Sequence, residues 1–194
     1  IEVLSPDDFQ KKAISIKFKD KVPFHHCKFE KFQCDKKYDL ILESESVCYI
    51  NIEKGFENAS KLLNDGGYLL ASDYFVHFRD NSNSPHLNSS HDINEYLLSA
   101  NQYGFEIMKE YNKTENTMLT LDYGKYFMDR FINPTIEYVA YSANKNYPKT
   151  ARVIKKIIEP KLQSKKSQLE LIDSDQFRKY RKYMIYLFKK NNVS

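Results

Sequence analysis

Residues 38–75 constrain the fold of this chain more than any other stretch. They read YDLILESESVCYINIEKGFENASKLLNDGGYLLASDYF. Two apolar runs, 40–42 and 68–71, are too short to be anything but strands. An amphipathic segment of helical length joins them, and its last polar residues run into Gly66 and Gly67. A strand, a crossover helix and a second strand make a right-handed unit with parallel strands. Polar residues follow each strand's carboxyl end: Glu43, Ser44 and Glu45 after the first, Asp73 and Tyr74 after the second. Open α/β sheets bind ligands at those ends, so the pattern predicts an enzyme-like crevice there.

The remaining segments extend this unit. An apolar stub at residues 1–4 precedes a helix start with Ser5 as N-cap and Pro6 at the first helical position, with Asp7 and Asp8 in the first turn. Residues 21–28 read as a polar strand, placed at an edge by Pro23. Residues 76–90, rich in Asn, Ser, His and Asp, form a long loop. A helix from His91 to about Tyr103 is closed by Gly104, and 105–111 is a further strand. Residues 118–161 are helical in pattern and aromatic, carrying Tyr123, Tyr126, Phe127, Phe131, Tyr138 and Tyr141; Pro160 ends the stretch. A last strand over 180–189 is expected to pair antiparallel with 105–111.

With 194 residues, 41% of them hydrophobic, the chain can bury one sizeable core but not two full domains. No run approaches the ~18 apolar residues of a membrane span, and no signal peptide opens the sequence. Cys27, Cys34 and Cys48 are odd in number and lack CxxC spacing, so neither a disulfide framework nor a zinc site is indicated. A cytoplasmic location follows as the default. The sequons at Asn58, Asn88 and Asn112 are read as chance, since Asn58 falls in the predicted crossover helix. The net charge is +4, and its excess lies late, in Lys161, Lys165, Lys166, Arg178, Lys179, Arg181, Lys182, Lys189 and Lys190. The plain reading is a solvated helix face and a lysine-protected strand edge; nucleic acid is not the expected partner.

Three motifs resemble one family. Residues 38–42, with Glu45, Tyr49 and Ile50 after them, are similar to the fourth strand of the class I S-adenosylmethionine-dependent methyltransferases and the acidic and His-Ile/Val positions following it. Residues 62–70 (LLNDGGYLL) resemble their Gly-Gly entry to the fifth strand, and Tyr103-Gly104-Phe105 their turn before the sixth. Asp73-Tyr74 and the helical insertion resemble the small-molecule branch: phosphoethanolamine, sterol and tocopherol methyltransferases and the cyclopropane synthases. The resemblance implies an α/β, Rossmann-like methyltransferase fold with a mostly parallel sheet and an antiparallel last strand. It runs from the family's second strand to its last, so the first strand and its Gly-rich loop are expected to precede Ile1. On this reading residues 1–117 form the methyltransferase core, 118–175 a helical lid or insertion, and 176–194 the returning last strand. Residues 76–90 and 118–161 would build the lid.

The resemblance also implies the site. S-adenosylmethionine is the expected cofactor, with S-adenosylhomocysteine as product. Val3, Leu4, Cys27, Lys28, Ser44, Glu45 and Tyr49 match its binding positions, although Val3 and Cys27 stand where acids are usual. Asp73 and Tyr74 match the positions that hold a small-molecule substrate, and Asp73 and His77 are the catalytic candidates. An anion beside a developing ammonium is favourable, and a loop histidine can serve as a base. His25, His26 and Cys27 do not suggest a metal, because adjacent strand residues point to opposite faces. The aromatic set from Tyr123 to Tyr141 is expected to form the core of the lid. Methyl transfer to a small molecule is the leading reading; a non-catalytic binding module on this fold and an RNA-directed methyltransferase are the alternatives.

Overall fold

The computed structural model describes residues 1–88, 90–149 and 170–191. The chain divides into two units, Ile1–Phe75, His91–Asn112 and Met184–Ser194 in the first, Val76–Ser90 and Lys113–Tyr183 in the second. The first unit opens with β1 (Val3–Leu4), α1 (Asp8–Phe18) and β2 (Phe24–His25), and β1 pairs parallel with β2. The N-cap of α1 is Asp7, not Ser5: its carboxylate accepts the Gln10 N–H at 2.6 Å, while Ser5 Oγ accepts the Asp7 N–H at 3.2 Å. Either residue type can cap, but a carboxylate also complements the helix dipole. β2 is shorter than the sequence suggested. Pro23, which lacks an N–H, contributes only a carbonyl, which accepts the Val3 N–H at 3.0 Å.

Next come β3 (Tyr38–Ser44), α2 (Ile52–Leu62), β4 (Leu63–Val76), α3 (Ile93–Gln102) and β5 (Phe105–Asn112). The last strand, β6, spans Arg181–Lys190. The sheet order is β3-β4-β6-β5, with β3 parallel to β4 and β6 antiparallel to β5. The crossover unit and the returning last strand read from the sequence are thus both present. At the mouth of β4, Gly66 has φ +74°, and a Cβ on Gly67 would lie 2.9 Å from the Asn64 carbonyl oxygen and 3.3 Å from that of Asp39. Gly104, closing α3, has φ +80°. These are conformations or spaces that favour glycine.

Register sorts the side chains of β3 and β4 into two faces. Ile41 is opposite Leu69 and Glu43 opposite Ala71, on the face covered by α2 and α3. Phe56, Leu69, Phe75, Tyr96, Phe105, Tyr186 and Phe188 fill that core, several of them ring against ring at 4.8–6.4 Å. Leu40, Leu42 and Tyr68 lie on the other face, 54%, 62% and 37% exposed. Glu2 ties the two sheets together, accepting from Tyr38 Oη (2.6 Å), His25 Nε2 (2.9 Å) and Lys36.

In the second unit α4 (Thr114–Phe127), a π-helical turn (Met128–Ile132) and α5 (Asn133–Asn146) follow one another without leaving helical backbone. α6 spans Ser174–Tyr180. Here an expectation fails. Tyr123, Tyr126, Phe127, Phe131, Tyr138 and Tyr141 are exposed, not a core. Their spacing sets up helical stripes, but the buried side chains of this helical run are Thr114 and Met118, both on α4. The basic residues near α6 are engaged internally: Arg178 with Glu115 and Asp175, Lys179 with Asp80, and the buried Arg181 with the His86 carbonyl. In the first unit Lys190 pairs with Asp65 and donates to the Leu63 carbonyl. Lys161, Lys165, Lys166 and Pro160 lie outside the described residues. Among the described residues, no helix is long and apolar enough to cross a membrane.

Candidate active site

Parallel pairing places the carboxyl end of β3 beside Ser72 of β4, which runs on to Val76. Ser44 is opposite Ser72, and the Glu45 N–H reaches the Ser72 carbonyl at 2.9 Å. Residues 43–45 and 73–74 therefore form one rim, but Asp73 and Tyr74 fall within β4 and not past its carboxyl end, where the sequence pattern had them. Glu45 turns the chain there with φ +53°. Alternation then divides the candidates: Ser44 and Glu45 are exposed, whereas Glu43 and Asp73 point into the core at 7% and 0% exposure.

A short 3-10 turn, Val47–Tyr49, follows, with Asn51 capping α2 through its Oδ1 on the Lys54 N–H. Three side chains clamp this turn. Asp73 Oδ2 accepts the Cys48 N–H at 3.0 Å, and its Oδ1 accepts the Tyr74 N–H at 2.8 Å. His91 Nε2 lies 3.0 Å from the Val47 carbonyl and 2.7 Å from that of Ile50. Glu30 Oε1 accepts the Asn51 N–H at 3.0 Å. Glu30 belongs to the turn after β2, which Asn58 Nδ2 holds by its Phe29 and Phe32 carbonyls at 2.6 and 3.1 Å. A buried Asn58 so engaged leaves no room for a glycan.

The turn carrying Cys27 and Lys28 is thereby joined to the turn carrying Tyr49. Val3 and Leu4, paired with Phe24 and His25, lead to the same end of β2. Val3, Leu4 and Cys27 are half-buried, while Lys28 and Tyr49 are exposed, Tyr49 at 81%. His25 and His26 serve different partners, Glu2 and the Pro6 carbonyl.

Two expectations change. Asp73 was placed against a substrate, but it lies on the core parity of β4 and both its oxygens are bonded to backbone. His77 belongs to the second unit, where its Nε2 lies 3.2 Å from the Arg178 carbonyl and its N–H donates to that of Tyr180. The sequence placed Glu43 at a strand end and His91 at a helix start without the roles they take here, and it did not mark Glu30 as a clamp or Tyr96 at all. Parity with Ile41 was a signal for Glu43; nothing local marks the other three.

Electrostatics single out the same place. Burial first, and the charge of Asp73 second, push the Glu43 carboxyl up to about 7. Burial also raises Asp73, against its two backbone donors. Burial and the neighbouring Asp73 raise the Cys48 thiol to about 11, leaving it protonated and unreactive.

No family model matches the chain, and no curated protein matches it in sequence. Solved structures do match. An O-methyltransferase of a trans-AT PKS multienzyme of Brevibacillus brevis, in complex with S-adenosyl-L-homocysteine, superposes with a TM-score of 0.56 at 17% identity, over 97% of this chain. Phosphoethanolamine N-methyltransferase 2 of Haemonchus contortus, with phosphomonomethylethanolamine and S-adenosylhomocysteine, gives 0.61 at 15% over 93%. The cyclopropane synthase MmaA2 of Mycobacterium tuberculosis gives 0.63 at 14% over 97%. The fold is that of the class I S-adenosylmethionine-dependent methyltransferases. This chain spans 57% of the Brevibacillus methyltransferase, 40% of the Haemonchus one and 69% of the mycobacterial synthase. The methyltransferase fold thus accounts for nearly all of this chain, while those proteins contain more.

Proposed function

We propose that this chain takes part in methyl transfer from S-adenosylmethionine to a small-molecule acceptor. The observation that carries the reading is the joined rim: the end of β3 beside β4, with the turn after β2 bonded to the turn after β3. The cofactor would supply a methyl group activated on a sulfonium. The acceptor's lone pair forms the new bond as the carbon–sulfur bond breaks, leaving S-adenosylhomocysteine.

The chain's own residues would act by positioning, and holding the reactants in line is worth about 7–11 kcal/mol in such a step. Glu45, an exposed carboxylate on the rim, suits a cationic donor or its ammonium group. Ser44, Lys28 and the exposed ring of Tyr49 offer polar and stacking contacts from the joined turns. Val3 and Leu4 give an apolar wall, and the Cys27 side chain is small enough to leave room beside it. Tyr74 marks the substrate side. Asp73 acts one step removed, by fixing the Cys48 N–H and so the turn.

The fit is incomplete in one respect: Val3 is apolar and Cys27 a thiol where acids are usual. That favours a second reading, a binding module on this fold. Calorimetric titration with S-adenosylmethionine and S-adenosylhomocysteine separates the two. Saturable binding weakened by Glu45→Ala and Tyr49→Ala supports the first reading; no heat with either compound ends it.

A further inference from the structure

Beneath the rim lies a cavity of about 10 Å³ bounded by Glu43, Val47, Ile50, Asn51, Phe56 and Tyr96. Tyr96 is 3% exposed, and its hydroxyl has no hydrogen-bond partner among the described residues. The Glu43 side chain beside it is also buried, at 7% exposure. An unpartnered hydroxyl and a buried carboxyl thus share a space with room for about one water molecule. Three of its walls, Val47, Ile50 and Asn51, belong to the turn that Asp73, His91 and Glu30 clamp.

We infer that this cavity makes the turn after β3, and with it cofactor binding, depend on the protonation of Glu43. The inference rests on the cofactor reading above. A neutral Glu43 fits a dry cavity. Its ionised form needs hydration, because an uncompensated buried charge is costly, and it stands near the Asp73 carboxylate, with Glu30 also acting on it. The space beside Glu43 and Tyr96 takes about one water, and fuller solvation of a carboxylate there needs its opening to widen. The walls that can yield are those of the turn. Glu45 faces Asp73 from the rim, Cys48 does so from the turn, and Tyr186 of β6 faces Tyr96. His91 completes the set of titratable neighbours, bonded to the turn itself.

S-adenosylhomocysteine is the right probe, since its uncharged sulfur removes the sulfonium's own attraction to Glu43 and leaves only the amino-acid end common to both compounds. Its affinity for the whole chain, measured by calorimetry at intervals from pH 6 to 8, is expected to fall as pH rises. From pH 6 to 8 the fall is about fivefold if binding raises the Glu43 pKa by one unit from about 7. Glu43→Gln, isosteric and uncharged, is expected to bind equally across the range while leaving His91 in place. Tyr96→Phe removes the hydroxyl that helps the ionised form, so the fall moves to higher pH. Equal wild-type affinity at both ends, or the same slope in Glu43→Gln, overturns the inference. If no protein binds at any pH, the cofactor reading fails and melting temperatures decide the device separately. Wild type must then lose Tm from pH 6 to 8 relative to Glu43→Gln; parallel melting profiles would sink it.

Discussion

At the residue scale, the carboxylates divide by partner and by the pH at which they act. Glu2 is held down to about 2 by hydrogen bonds from Lys36 first, then Tyr38 and His25. Its folded pKa lies below the unfolded one, so its contribution is present above about pH 4.5 and lost as pH falls towards 2. Glu2→Gln is therefore expected to remove part of the acid-induced loss of stability, read as a shallower decline of the urea midpoint below pH 4.5. An unchanged decline would mean the link between the two sheets carries no such weight. Glu43 has the opposite sign. Its raised pKa favours the fold below about 4.5, and up to about 3 kcal/mol of that preference is lost as pH rises through 7. Asp73, shifted the same way by burial, accepts the Cys48 and Tyr74 N–H groups. Asp73→Ala removes both bonds, and a loss of about 1–3 kcal/mol is the expected scale. Urea denaturation checks it: a loss below 1 kcal/mol would show that the turn after β3 does not depend on this carboxylate.

At the element scale, local signals were read well where one mechanism dominated. The apolar runs gave β3 and β4, Gly104 gave the end of α3, and the strand read over 180–189 pairs antiparallel with β5 as expected. Reading failed where the deciding partner was distant in sequence. Asp7 displaced Ser5 as the cap because both residue types suit that role and only the entry angle of the chain chooses. The inward parity of Asp73 depends on its register against β3, which composition does not contain. The stripe of Tyr123, Phe127 and Phe131 marks a helix correctly, yet periodicity cannot say whether anything packs on it. Glu30 and His91 join the site from 21 and 41–44 residues away, beyond any motif. The Gly66-Gly67 pair was legible as an entry to β4, and the structure gives its reason: a Cβ on Gly67 has no space against two carbonyl oxygens, neither of which can swing aside as a side chain would. Gly67→Ala is accordingly expected to cost about 1–3 kcal/mol, the scale of overpacking, with loss of midpoint in urea as the measurement. A neutral result would mean that the strand relaxes at its bulge between Tyr38 and Leu40.

At the scale of the whole molecule, the four-stranded sheet is unequal on its two sides. Strands apolar on both faces are the signature of parallel sheets covered on both sides, and the sequence of β3 has that character. The core side obeys: Ile41 and Leu69 are packed under α2 and α3. On the other side Leu40, Leu42 and Tyr68 leave half or a third of their surface open, and the two leucines lie on β3, the edge of its sheet. An apolar patch on an edge strand is a ready surface for association. If this face is open in solution, a dye that fluoresces on apolar surfaces binds the native protein, and Leu40→Thr with Leu42→Thr reduces the signal. Stability should then change by no more than about 0.5 kcal/mol per substitution, as at ordinary surface positions. A loss of several kcal/mol from the double variant, with little dye bound by the wild type, is the contrary outcome. It would mean that the face is buried in the working molecule, because only leucines removed from water carry that much energy.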